Sequence, residues 1–235
     1  MQKFPLAFMA IMTLLHWYSY GTTQENTTKS KTTVPVATKP TIEEQQLLIQ
    51  LEKLNIFETQ FVQTTFNKDG KKIQEVKGIM KSKRPAKFYW QAFQPYPQVL
   101  VTDGKTIWQY DADLEQVTLK DYQSQLQQAN LVKVFEAPQK LLENFRLTGE
   151  SHGKNSTNYY LTAKQAEVAV KSLVFTFAGD KLTDIEFTDA LGQKTHMHFD
   201  RLTHKKTMAD KVFTFTIPKS ADVIDDRPHH LQKIR

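Results

Sequence analysis

Residues 173–187 read Leu-Val-Phe-Thr-Phe-Ala-Gly-Asp-Lys-Leu-Thr-Asp-Ile-Glu-Phe. Large apolar side chains fall on odd positions: Leu173, Phe175 and Phe177, then Ile185 and Phe187. Thr176 and Glu186 stand between them. Successive side chains of a strand point to opposite faces, so each run has one dry face and one wet face. Gly179-Asp180-Lys181 is a connection of hairpin length. The pattern continues at Met197 and Phe199, and again at Phe213, Phe215 and Ile217, with His198, Asp200, Thr214 and Thr216 between. These residues predict an antiparallel sheet solvated on one side.

The period changes upstream. Thr41-Ile42-Glu43-Glu44 is a capping box, in which Thr41 caps and Glu44 reaches back to the Thr41 amide. Leu47, Leu48, Leu51 and Leu54 follow at helical spacing, which predicts an amphipathic helix over 42–54. Phe57, Thr59 and Phe61 then alternate with Glu58 and Gln60. Asn67-Lys68-Asp69-Gly70 and Asp103-Gly104 read as hairpin turns. Alternation stops between 122 and 145, where a Gln-rich stretch leads into Leu131–Phe135. Ala137-Pro138 there predicts a helix through Leu141, Leu142 and Phe145. A sheet with this many aromatics on one face must curl and be covered. So few helical residues cover it only in part, leaving a concave apolar surface beneath a lid.

Composition bounds the remainder. The 235 residues include no Cys, which excludes disulfides, thiolate metal sites and a lipid-modified Cys on this chain. An apolar share of 40% with 15 Phe supports a core and argues against disorder. The net charge is +6, but Lys3, Lys29, Lys31 and Lys39, offset by Glu25, account for half of it. Dense basic runs occur only at Lys81–Arg84 and His204–Lys206, too little for a nucleic-acid surface. Lys3 precedes an apolar run from Phe4 to Leu15, and Ser19 and Gly21 fit a signal-peptidase site. The expected organisation is a signal peptide over 1–21, cut between Gly21 and Thr22, and a disordered Thr-rich tether over 22–40. A folded domain over 41–226 and a tail over 227–235 complete it.

Catalytic signals are sparse. No phosphate loop, nucleophile elbow or His-Glu-x-x-His is present. His196 and His198 share a strand face, but it is the wet one, and no third ligand lies nearby in sequence. Asp111 and Asp113 follow Tyr110 at a strand end and read as turn chemistry. Asp225-Asp226 reads as a solvated turn. The expectation is no enzyme, no metal and no cofactor.

The informative segment is 77–118, KGIMKSKRPAKFYWQAFQPYPQVLVTDGKTIWQYDADLEQVT. Pro85 ends a strand after Lys83-Arg84, and Phe88 and Trp90 share a face. Lys83-Arg84-Pro85, Phe88, Trp90, Val99–Lys105, Trp108, Tyr110-Asp111 and Leu114–Val117 strongly resemble the periplasmic lipoprotein carrier family LolA. The resemblance covers about 42–226. Leu51–Phe61 with Gln63 resembles the family's first helix and strand, and Val212–Thr216 its closing strand. Tyr89 stands where the family commonly has Arg, and the tether and tail are additions.

The resemblance implies a mainly β fold with helices: an unclosed antiparallel β-barrel, or half-barrel, whose concave apolar face lies under an α-helical lid. It implies a periplasmic monomer that carries acylated lipoproteins from an inner-membrane ATP-driven release complex to an outer-membrane receptor. The family's lid-controlling Arg matches Arg84. The acyl-chain cavity would be lined by Leu48, Leu51, Phe61, Phe88, Trp90, Leu131, Val134 and Phe135. The alternative is a periplasmic lipid- or lipoprotein-sensing regulatory domain on the same half-barrel.

Overall fold

The computed structural model describes residues 40–126, 135–166 and 168–228. The expected signal peptide, nearly all of the expected tether, Leu131, Val134 and the end of the expected tail lie outside them. Helix α1 spans Ile42–Glu52 and carries the expected capping box: the Thr41 hydroxyl accepts from Glu44 N, and the Glu44 carboxylate accepts from Thr41 N. Leu47 and Leu51 are buried along its inner side. No helix among the described residues is long and apolar enough to cross a membrane.

Twelve strands form one curved sheet that does not close. They are β1 Ile56–Phe66, β2 Lys72–Lys83, β3 Lys87–Gln94, β4 Gln98–Thr102, β5 Thr106–Asp111 and β6 Gln116–Asp121. The second half holds β7 Phe145–His152, β8 Thr157–Ala163, β9 Val170–Ala178, β10 Lys181–Asp189 and β11 Lys194–His204, with β12 Asp222–Asp225 last. The order across the sheet is 12-6-5-4-3-2-1-11-10-9-8-7. Neighbours are antiparallel except β12, which runs parallel to β6.

Register fixes two faces. Phe57, Phe61, Met80, Trp90, Leu100 and Ile107 from the first half, and Phe175, Ile185, Met197 and Phe199 from the second, form one buried core with α1. This is the inner face. Gly78 sits where β2 and β3 approach closely: a Cβ there would lie 1.9 Å from the Gln91 carbonyl oxygen and 2.9 Å from the Phe61 ring.

Three sequence expectations are corrected. Val212–Thr216 is not a closing strand. A 3-10 turn spans Asp210–Phe213, and no strand follows until Asp222. The reason is topological: β11 already pairs with β1 and β10, so the chain leaving it finds no free edge. It crosses the outer face as a strap and reaches an edge only beside β6. Asp225 consequently ends a strand, where it stays exposed as expected and accepts from Arg227 N two residues on. In the mid-sequence helix, a 3-10 turn over Pro138–Lys140 leads into α over Leu141–Asn144, and Phe145 opens β7 instead of ending the helix.

Candidate functional site

Arg84 opens the β2–β3 connection, directly after Lys83. Its backbone N donates to the Asn55 carbonyl at 3.0 Å, which fixes the turn. Its guanidinium then reaches two elements at once. Nη2 donates to the Leu51 carbonyl at 2.7 Å, and Nη1 to the Glu52 carbonyl at 3.3 Å. Both carbonyls belong to the last turn of α1, where i+4 partners run out; the Leu51 carbonyl also accepts from Leu54 N at 3.1 Å. A cation there also suits the negative end of the helix dipole. Nε donates to the Phe135 carbonyl, on the far side of the inserted segment. The planar fork makes this three-way clasp geometrically accessible, as an ammonium would not.

Glu52 completes the group. Its carboxylate accepts from Arg84 Nη1 at 2.7 Å, while its other oxygen accepts from Gln139 Nε2. Burial pushes the Arg84 pKa down, and the attraction of Glu52 opposes it. The Arg84 side chain, 11% exposed, thereby ties α1 to Phe135, and Glu52 ties Gln139 to the same group.

The apolar residues lie behind this clasp. Leu51, Phe61, Trp90 and Phe135 are buried in the inner-face core, and Phe88 packs against it half-buried. Leu48 is half-buried on α1. Phe61 and Trp90 stack with centroids 5.6 Å apart, and Phe57 meets Phe135 at the same separation. The Trp90 indole N–H is buried with no acceptor among the described residues. Tyr122 is buried nearby, and burial together with the Glu136 carboxylate pushes its phenol well above the usual range.

Sequence reading missed Glu52 and Gln139. One signal was available: an acidic residue in the last turn of a helix opposes the dipole and calls for a cationic partner. Elsewhere, Asp111 accepts from Asp113 N and Leu114 N, which is turn chemistry as read. His196 and His198 both contact Asp184 Oδ1, at 2.9 and 2.8 Å, on the outer face. That partner comes from β10 and was invisible in local sequence.

An open sheet presents a continuous apolar face, and Arg84 bonds α1 and Phe135 beside it. The chain belongs to the family of the outer membrane lipoprotein carrier protein LolA, whose description matches residues 52–216. It is 32% identical over 179 residues to an outer-membrane lipoprotein carrier protein of Hahella chejuensis, covering 76% of this chain and 86% of that one. The carrier protein of Pseudomonas putida is 34% identical over 182 residues, with 77% and 87% covered. An uncharacterized conserved protein of Thermus thermophilus shares the fold, with a TM-score of 0.52 at 13% identity over 78% of this chain and 99% of that chain.

Proposed function

We propose that this protein is a periplasmic carrier of acylated lipoproteins. It takes them from an inner-membrane ATP-driven release complex and passes them to an outer-membrane receptor. It binds and releases its cargo without chemical turnover. The observation that carries this reading is the Arg84 clasp, which ties α1 and the Phe135 segment over the apolar inner face. Membership of a family whose relatives are named as carriers supports it.

The physical mechanism follows from magnitudes. A buried methylene contributes about 0.8 kcal/mol, so a fully sequestered acyl chain would be held too tightly to hand on. A carrier needs an empty state that competes with the loaded one. The clasp supplies it: bonds from a charged donor are worth roughly 1.5–3 kcal/mol each and are made only when the cover is down. Entering acyl chains separate α1 and the Phe135 segment from the sheet and break those bonds. Delivery restores them, so closure favours release. In this role Leu48, Leu51, Phe61, Phe88, Trp90 and Phe135 contact the chains, and Arg84 controls the cover.

The test is native mass spectrometry of the mature protein after incubation with a triacylated lipoprotein and, separately, its non-acylated form. A one-to-one complex with the acylated form alone is expected. Equal binding of both forms, or none of either, contradicts the proposal.

A further inference from the structure

One charged side chain on the inner face has no place in the clasp. On β6, Val117 and Leu119 point outward, so Thr118 and Lys120 point inward. Lys120 stands opposite Ile107, Ile107 opposite Thr102, and Thr102 opposite Phe88. Ile107 and Phe88 belong to the core under α1, so Lys120 ends an inner-face row that starts in the candidate cavity. It is only 7% exposed.

Its electrostatic surroundings are thin. Asp226 follows the end of β12, and the parallel register sets it alongside Lys120 at the sheet edge. Among the described residues no hydrogen bond or close ion pair engages the Lys120 ammonium. Burial pushes its pKa down, and the attraction of Asp226 only partly opposes this. A buried cation without a close partner costs stability, and a local rule broken in this way is expected at a functional position.

Resting on the carrier reading, we propose that Lys120 is an acceptor-binding subsite for the oxygen atoms at the head of a bound acyl group. An acyl chain is an apolar body that ends in a carbonyl, as an ester, an amide or a free carboxylate. A Lys stem is apolar enough to pack on such a wall, and its head offers three donors to such an oxygen. An ammonium is a point charge without a preferred plane, so it donates to carbonyls in several orientations. The clasp at Arg84 would thus act on the cover, and Lys120 on the depth and register of the cargo.

The test uses the mature chain and its Lys120→Met and Lys120→Arg variants. Three probes are titrated: a peptide with ester-linked diacylglyceryl, its ether-linked analogue of equal chain length, and palmitate. Lys120→Met is expected to raise the melting temperature, because an uncompensated buried charge is removed. It should weaken the ester-linked peptide roughly tenfold to a hundredfold, the range of a charged hydrogen bond. The ether-linked peptide should change less than about twofold, and Lys120→Arg should retain most ester binding. A loss confined to palmitate keeps the acceptor subsite and assigns it to free carboxylates instead of cargo esters. Equal changes for ester and ether, or none, overturn the subsite while wild-type binding of both peptides leaves the carrier reading intact. Wild-type protein that binds neither peptide overturns both.

Discussion

The two halves of the sheet solve the same covering problem differently. In β8–β11 one face is dry and the other wet: Leu173, Phe175, Phe177, Ile185, Phe187, Met197 and Phe199 are buried, while Thr176, Glu186, His198 and Asp200 reach solvent. In β4–β6 both faces are covered. Leu100 and Ile107 face α1, whereas Val101, Val117 and Leu119 are buried on the outer side. The strap after β11 makes the difference. Phe213 is fully buried, and Phe215 lies 5.6 Å from the Tyr110 ring on that outer side. Asp210 pins the strap by accepting from Lys83 and Lys87, each at 2.6 Å. The half that carries the clasp is therefore stiffened from behind, and the β2–β3 turn is held on both sides, by Arg84 in front and by Lys83 and Lys87 at the back.

Substitutions can break this contrast. Phe213→Ala should cost about 3–5 kcal/mol, because it empties a fully enclosed site between strap and sheet. Denaturant unfolding measures it, and a cost below about 1 kcal/mol would mean that the strap is merely draped. Leu119→Ala, on the outer side of β6, should cost about 2–5 kcal/mol. Val174→Ala, at an outer-face position of β9, should cost less than about 1 kcal/mol, within the range of strand propensity alone. Equal losses for Leu119 and Val174 would remove the asymmetry between the halves.

The smallest expected effect is on pH. Hydrogen bonds from Lys83 and Lys87 pull the Asp210 pKa from its ordinary 3.8 down to about 2. A depressed carboxylate contributes stability above its unfolded pKa and loses it as pH falls through the folded one. The strap's anchorage should thus be intact above about pH 4 and fade towards pH 2. Hydrogen exchange of strap amides reads this, and Asp210→Asn should abolish that pH step.

The same contrast explains what the sequence made legible. Alternation is readable where one face meets water, so the strands of the second half stood out. It also placed α1, through Thr41, Glu44 and its Leu spacing, and the turns at Gly70 and Gly104, both of which have positive φ. In β4–β6 two coverings erase the wet face. Lys120, between Leu119 and Asp121, is buried although its charge would mark a wet position in an alternating strand. Phe213, Phe215 and Ile217 alternate as a strand does, yet they serve a crossing segment, because pairing depends on a free edge that no local pattern reveals. Arg84, Phe88 and Trp90 were found through resemblance. Glu52 and Gln139 were not, since their meeting with Arg84 depends on tertiary placement.

In the proposed function, Arg84 closes the empty cover and so enables delivery. A two-step transfer assay that scores loading and delivery separately tests it on Arg84→Leu, with Arg84→Lys as the partial case. Losing even two of those charged bonds shifts the open–closed balance by roughly a hundredfold to more than ten-thousandfold. Arg84→Leu is expected to load acylated lipoprotein and fail to pass it on, with Arg84→Lys between it and wild type. Delivery by Arg84→Leu at the wild-type rate would contradict the account.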